Sequence, residues 1–271
     1  MLISKIDQLL CIFLCTYLKE NRWCYFTNWR QKILARSHTK FGYDQENKSY
    51  FAYEKDIGAI YFSEKYRHLR LYSRGLSTRL EKLARDYFID DINFSDGDTV
   101  IDCGANIGEL GRYLIWKGYK VNYIAFEPSV NEFEKIHLNT QTKHAYNFGL
   151  FDKSELITFY RSSETADSSF IEPSLYTERL QMYVKRLDTI NIPNKIKLLK
   201  LEAEGAEPEV IWGAEGVLKN IEYISADLGF ERGVHQESTE LEVSSILKRE
   251  GFKAVSKNSD RLTVLFRRIQ P

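Results

Sequence analysis

The chain has 271 residues, 43% of them hydrophobic and 28% charged, and its 38 Lys and Arg balance 38 Asp and Glu to a formal net charge of zero. That composition excludes a disordered chain and gives no bulk electrostatic pull toward nucleic acid. The length suits one large α/β domain, or a catalytic domain of ordinary size carrying an extension.

Leu2, Ile6, Leu9, Leu10, Phe13 and Tyr17 recur at helical spacing and predict an amphipathic helix at the start of the chain. Its apolar run, Leu9 to Leu18, is far shorter than the roughly 20 residues that cross a bilayer. Asp7 before the run and Lys19, Glu20 and Asn21 after it do not read as a signal peptide, so a cytoplasmic chain is expected. The helix has two uses: packing on the main domain or on a second copy in a homodimer, or lying on a membrane surface. Arg22, Arg30, Lys32 and Arg36, with Trp23 and Trp29 between them, support the second. Cys11, Cys15, Cys24 and Cys103 read as reduced thiols, with no histidine near the first three to complete a metal site.

Two strand-like pieces in Ser49 to Phe62 and a helical face of Leu80, Leu83, Ala84, Tyr87 and Phe88 complete a helical and hairpin lead-in. The pattern changes near residue 90, which divides the chain into a lead-in, 1–90, and a main domain, 91–271. From there apolar runs read as buried strands: Thr99 to Cys103, Val121 to Phe126, His144 to Leu150, Ile196 to Leu201 and Ile221 to Leu228, followed by Phe252 to Val255 and Leu262 to Phe266. Helical patterns separate most of them, which implies βαβ units and a mainly parallel sheet with helices on both faces. The last two runs have no helix between them and predict an antiparallel hairpin turning at Lys257 to Asp260.

The first of these strands runs into Asp102-Cys103-Gly104-Ala105-Asn106-Ile107-Gly108 and then a helix. Glycines allow a sharp bend and close ligand approach, and a helix start exposes free amides, although turns and caps need glycine for structural reasons too. The second strand ends in Phe126-Glu127-Pro128, placing a carboxylate where it can accept hydrogen bonds from ribose hydroxyls. Asn106 stands where a dinucleotide fingerprint has its second glycine, which disfavours NAD.

These motifs, with Asn147-x-Gly149-Leu150-x-Asp152, Leu187-Asp188 and Leu199-Lys200-Leu201-Glu202-Ala203-Glu204-Gly205-Ala206-Glu207, resemble the FkbM-type S-adenosylmethionine-dependent methyltransferases over roughly residues 85 to 255. The resemblance implies the class I methyltransferase (Rossmann-like) fold, a seven-stranded, mostly parallel sheet ending in a reversed hairpin. It also implies a cofactor site: Asp102, Gly104, Ala105, Asn106 and Gly108 at the methionine part, Glu127 and Pro128 at the ribose, Asn147 and Gly149 near the adenine. The family commonly has Asp where this chain has Glu202, and Ala where it has Gly149.

Transfer to a hydroxyl needs a group that takes the proton. Glu202 and Asp227, at the ends of the fourth and fifth strands, are the leading catalytic candidates, with Glu231 and His235 in the following loop. Glu207 and Glu209 open a helix, where acids are stabilising without catalysis. No metal ligands are assigned, although Glu202, Asp227 and Glu231 converging on Mg²⁺ is an alternative. An irregular insert, Arg161 to Gln181, lies at the same edge as a candidate lid, and its Ser168, Ser169, Tyr176 and Arg179 suit a polar acceptor. The expected activity is O-methylation of a carbohydrate, glycolipid or polysaccharide precursor. A macrolide or other secondary metabolite is an alternative acceptor, and a non-catalytic scaffold in a polysaccharide assembly complex is the non-enzymatic alternative. Nucleic acid is not an expected partner.

Overall fold

A computed structural model describes residues 2–34, 37–162 and 168–269, with side chains from Asp7 onward. The side chains of Leu2 and Ile6, Arg36, and 163–167 of the insert lie outside the described residues.

The lead-in folds as two helices, α1 (Leu2–Tyr17) and α2 (Glu20–Ile33), then an antiparallel meander of β1 (Lys40–Asp44), β2 (Ser49–Glu54) and β3 (Gly58–Phe62), then α3 (Lys65–Tyr72) and α4 (Leu76–Asp86). Arg30 near the end of α2 donates 2.8 Å and 2.7 Å hydrogen bonds to Asp7 near the start of α1, which fixes the two helices antiparallel. Trp23 is fully buried, edge-on to Phe41, Tyr50 and Phe62 of the meander. Trp23 and Arg30 are therefore core residues and do not belong to a surface patch.

The main domain continues with β4 (Thr99–Cys103), α5 (Glu109–Trp116), β5 (Asn122–Phe126), α6 (Val130–Thr140), β6 (Ala145–Tyr146), β7 (Gly149–Leu150), β8 (Glu155–Arg161) and β9 (Glu178–Lys185). It ends with β10 (Ile196–Leu201), α7 (Glu207–Gly213), α8 (Glu215–Leu218), β11 (Ile221–Asp227), β12 (Phe230–Arg232), β13 (Glu237–Ser238), α9 (Glu240–Arg249), β14 (Phe252–Asn258) and β15 (Thr263–Arg268). Seven strands form one sheet in the order β14-β15-β11-β10-β4-β5-β6. The pairs among β11, β10, β4, β5 and β6 are parallel, whereas β15 is antiparallel to both β11 and β14. The first strand of the sheet in sequence is thus central and the final hairpin closes one edge, the class I methyltransferase arrangement.

Alternation along the strands splits the core between the two faces. Val100, Ala125, Leu198 and Leu265 face the lead-in, and Trp23, Phe62, Leu76 and Leu80 share one continuous core with them. Ile101, Ile124, Leu199 and Leu201 face Val210 and Ile211 of α7 and Val243 and Leu247 of α9. The lead-in therefore shares one face of the sheet with α5 and α6, whose Leu110, Leu114 and Ile136 belong to the same core, and no helix among the described residues is long and apolar enough to cross a membrane.

Two sequence expectations shift. The run His144 to Leu150 divides: Ala145–Tyr146 extends the main sheet, while Gly149–Leu150 joins β9 and β8 in a separate three-stranded sheet. Between them Asn147 donates its side-chain amide to the carbonyls of Glu127 and Pro128, both at 2.9 Å, which anchors the break. The insert is also more regular than its composition implies, because its two ends lie in β8 and β9, which pair from Glu155 with Val184 to Arg161 with Glu178.

Candidate active site

The ends of β4, β5 and β10 open into a cavity of about 620 Å³, a size suited to a small-molecule ligand. The turn after β4 forms one wall. Gly104 and Ala105 both donate their amides to the Phe126 carbonyl at 3.0 Å, which docks the turn onto the end of β5. Gly104 has φ +72°, and a Cβ there would sit 2.0 Å from the backbone oxygen of Glu202. Only glycine allows the first and fourth strands of the fold to approach so closely.

Glu127 fastens the same turn from the other side. Its carboxylate accepts from the amides of Asn106 at 2.8 Å and Ser129 at 2.9 Å. Burial pushes its pKa up to about 7, with those amides opposing the shift. Asn106 sits in the left-handed region at φ 50° and caps the next amide with its own side chain. Asp102, 1% exposed, accepts from Tyr123 Oη at 2.6 Å and lies 3.2 Å from Lys200 Nζ.

Lys200 continues this ladder of charge. Its ammonium lies 2.8 Å from Glu202 and donates to the Gly104 carbonyl at 2.9 Å. Burial works against the ammonium, but Asp102 and Glu202 outweigh burial and hold it protonated. Arg261, from the turn between β14 and β15, closes the ladder by donating to Glu202 at 3.0 Å and Asp227 at 2.6 Å. Burial would raise the carboxyl of Glu202, yet Lys200 and Arg261 together take it down to about 2. Tyr87 from the lead-in stacks under Arg261 and donates to Asp227 at 3.3 Å.

The lead-in forms the opposite wall. Arg79 of α4 donates to both oxygens of Glu109, and Tyr72 donates to one of them at 2.8 Å. Burial opposes ionisation of Glu109, but Arg79 brings its pKa down to about 2. Ile12 and Thr16 of α1 and Arg67 of α3 complete this side, and Phe159, Ser168 and Phe170 of the β8–β9 hairpin close the other.

A family profile described as the Methyltransferase FkbM domain matches residues 102–254, more than half of the 271-residue chain. The chain belongs to the FkbM methyltransferase family. It is 27% identical over 168 residues to Methyltransferase 1 of Beauveria bassiana (strain ARSEF 2860), covering 50% of this chain and 68% of that one. Among solved structures it is similar to a SAM dependent methyltransferase from Aquifex aeolicus, with 14% identity, a TM-score of 0.39, and 70% of this chain and 94% of that chain covered. A putative rRNA-methylase from Clostridium thermocellum gives 12% identity, a TM-score of 0.44, and coverages of 69% and 97%.

In this FkbM methyltransferase the cavity brings together eight of the eleven residues expected at the cofactor and catalytic sites, Asp102, Gly104, Ala105, Asn106, Glu127, Pro128, Gly149 and Glu202, and with them Ser168 of the insert. Gly108, Asn147 and Asp227 stand outside its lining. Gly108 lies against α6, where a Cβ would come within 2.9 Å of Thr140, and Asp227 is enclosed by Arg261 and Tyr87. Glu231 sits half-buried beside Asp227, and burial and that neighbour push its carboxyl up to about 8. His235 is exposed on the loop between β12 and β13, and the insert's Tyr176 and Arg179, the latter in β9, are exposed and pair with each other. Ser169 is buried and donates to the Glu204 carbonyl at 2.6 Å, so it holds the insert to the end of β10. Lys200, Arg261, Arg79 and Tyr87 were given no site role: Lys200 figured only within the Leu199 to Glu207 motif and Tyr87 only on a helical face. The signal for Lys200 was a lone cation in the apolar run Leu198 to Leu201; Arg261 sits in what reads as a hairpin turn, where nothing distinguishes it.

Among the described residues no group of three or more His, Cys, Asp or Glu is arranged to hold a metal ion. Arg261 already engages Glu202 and Asp227, the carboxylates that a Mg²⁺ site would need.

Proposed function

We propose that this methyltransferase moves the methyl group of S-adenosylmethionine to a hydroxyl oxygen of a carbohydrate or of a glycolipid or polysaccharide precursor. The observation that carries it is one cavity joining the glycine turn, with its Glu127 carboxylate, to the charged floor of Lys200 and Glu202. The donor set fits the cofactor: a carboxylate for ribose hydroxyls, turn backbone for the amino-acid end, and apolar walls of Phe126 and Leu150 for the base. When bound, S-adenosylmethionine supplies a methyl group activated by a sulfonium.

Asp102, Gly104, Ala105 and Asn106 hold the amino-acid end, and Glu127 and Pro128 the ribose. Gly149, whose Cβ would collide with Phe170 at 2.3 Å, lets the insert approach the adenine end. Gly108 and Asn147 contribute by fixing the turn and the end of β5. Glu202 accepts a hydrogen bond from the acceptor hydroxyl and takes its proton. A carboxylate held near 2 is a weak base, but a hydroxyl oxygen becomes strongly acidic as it gains a methyl group, so position matters more than basicity. Asp227 acts through Arg261, which it orients toward Glu202. Residues 1–90 cap the acceptor side of the cavity, and 91–271 form the catalytic domain.

The test is incubation of the purified chain with methyl-labelled S-adenosylmethionine and a panel of sugars, lipid-linked saccharides, phenols, amines and carboxylic acids, with mass spectrometry of the product. Label in a methyl ether on a saccharide is the expected result. Label confined to nitrogen, to carboxylates or to phenols overturns the acceptor assignment.

A further inference from the structure

The outer sides of α1 and α2 carry an apolar surface that the core does not use. Leu9, Ile12, Phe13 and Tyr17 of α1 are each at least 43% exposed, whereas Cys11 and Leu14 of the same helix are buried. On α2 the exposed stripe is Tyr25, Phe26, Trp29 and Ile33, opposite buried Trp23, Thr27 and Arg30. Phe13 packs on Tyr17 and Tyr25 on Phe26, so the rings form clusters. Scattered exposed leucines are ordinary on a soluble surface, but stripes of this kind on two adjacent helices are not.

Two further observations say what covers this surface. Lys19, Arg22 and Lys32 are exposed on the same helix pair, and Glu20 is the only acid from Gln8 to Leu34. The patch is also continuous with the active site, because Ile12 is at once exposed on it and part of the cavity lining, beside Cys15 and Thr16. Aromatic rings and cations side by side on a helix suit the boundary of an anionic bilayer, where rings enter the headgroup region and cations meet lipid phosphates.

We infer that the α1–α2 face docks on an anionic membrane surface and turns the cavity mouth toward the lipid. Resting on the hydroxyl-methylation reading, the acceptor class narrows to a saccharide carried on a lipid anchor, presented at the bilayer and reached past Ile12 and Thr16.

The experiment is flotation of the full chain with phosphatidylcholine vesicles and with mixed phosphatidylcholine and phosphatidylglycerol vesicles. Wild type is expected to float with the anionic vesicles and about a hundredfold less with phosphatidylcholine alone. Phe13→Ser with Trp29→Ser should abolish flotation, and each of Lys19→Gln, Arg22→Gln and Lys32→Gln should weaken it about fivefold. Calorimetric binding of S-adenosylhomocysteine checks that the variants remain folded, and loss of wild-type flotation at high salt gives the same answer without a variant. Absence of flotation, or variants that float like wild type, overturns the inference. So does a dimer in sedimentation that the aromatic variant dissociates while no vesicle binds, which would make the face a self-interface. Flotation needs neither acceptor nor turnover, so its failure and a failure of the hydroxyl-methylation reading are separately visible.

Discussion

Arg261 is shared between the carboxylates of Asp227 and Glu202, with Nε 2.6 Å from the first and Nη2 3.0 Å from the second. Glu202 directly follows β10 and Asp227 ends the neighbouring parallel strand β11, and a residue from the terminal hairpin bridges the two. Glu231 lies close enough that Asp227, Glu207 and Glu202 all raise its pKa. Arg261 and Lys200 together therefore balance this acidic edge.

Arg261→Met should expose this dependence. Removing one partner from a buried pair costs about 3–5 kcal/mol, but the side chain of Arg261 is 36% exposed, so about 2 kcal/mol is expected. The loss should be larger at pH 8 than at pH 6, because burial holds the carboxyl of Glu231 up to about 8 and Arg261 is the cation that lowers it, so without Arg261 the folded chain resists its ionisation further as pH rises. Denaturant titration at the two pH values measures it, and an equal loss at both would separate Arg261 from the charge balance. Methyl transfer should fall at least about tenfold, as a cavity carboxylate would lose its orientation.

Glu127→Ala should weaken S-adenosylhomocysteine binding by roughly tenfold to a hundredfold, from loss of ribose contacts and of the turn geometry. Two half-buried amides, Asn106 and Ser129, also lose their acceptor, so melting should fall by a few degrees. Glu127→Gln keeps one good acceptor and should recover part of the stability. Unchanged binding in both variants would remove Glu127 from the cofactor site.

Gly104→Ala is the sharpest steric test of the turn. The added Cβ meets the Glu202 carbonyl at 2.0 Å, on backbone that also demands a positive φ, so β4 and β10 must part. A loss of about 3 kcal/mol or more is expected, together with loss of cofactor binding. Gly118 also has a positive φ but meets nothing within 4 Å, so Gly118→Ala isolates the backbone part of the effect. Equal melting temperatures for the two variants would mean that the close approach is relaxed at little cost.

The parts legible in the sequence were those governed by local pattern. Apolar runs separated by helical periods gave the strands and the closing hairpin, and the Gly104 turn with Glu127 at the next strand end gave one wall of the cavity. What stayed hidden depends on pairing across long separations. The partner of Asp227 comes from position 261 and that of Glu109 from position 79, and neither spacing has a local signature. On α1, the repeat of Leu9, Phe13 and Tyr17 does mark one face, yet the core takes the adjacent face through Cys11 and Leu14. Hydrophobic period identifies a helix but not which side the rest of the fold will bury.

Glu207 offers a test by pH. It is 1% exposed at the start of α7, where Oε1 accepts from the amides of Ala203 at 3.0 Å and Gly205 at 3.1 Å and Oε2 from Thr239 Oγ1 at 2.9 Å. It thus holds the turn after β10 to the start of α9, which is more than a favourable charge at a helix start. Burial raises its pKa from the ordinary 4.5 to about 7, the amides and Thr239 opposing. Between those values the folded chain holds a proton that the unfolded chain has released, so stability must fall as pH rises through this window. The contribution is at most about 3 kcal/mol and is complete above pH 7. Glu207→Gln keeps the acceptor for both amides and can donate to Thr239, so it should fold while removing the titration. Glu127 and Glu231 shift in the same direction, so the quantity to measure is the difference between variant and wild-type stability from pH 5 to pH 8. That difference should move in favour of the variant as pH rises, whereas two parallel curves would show that Glu207 is ionised in the folded chain throughout.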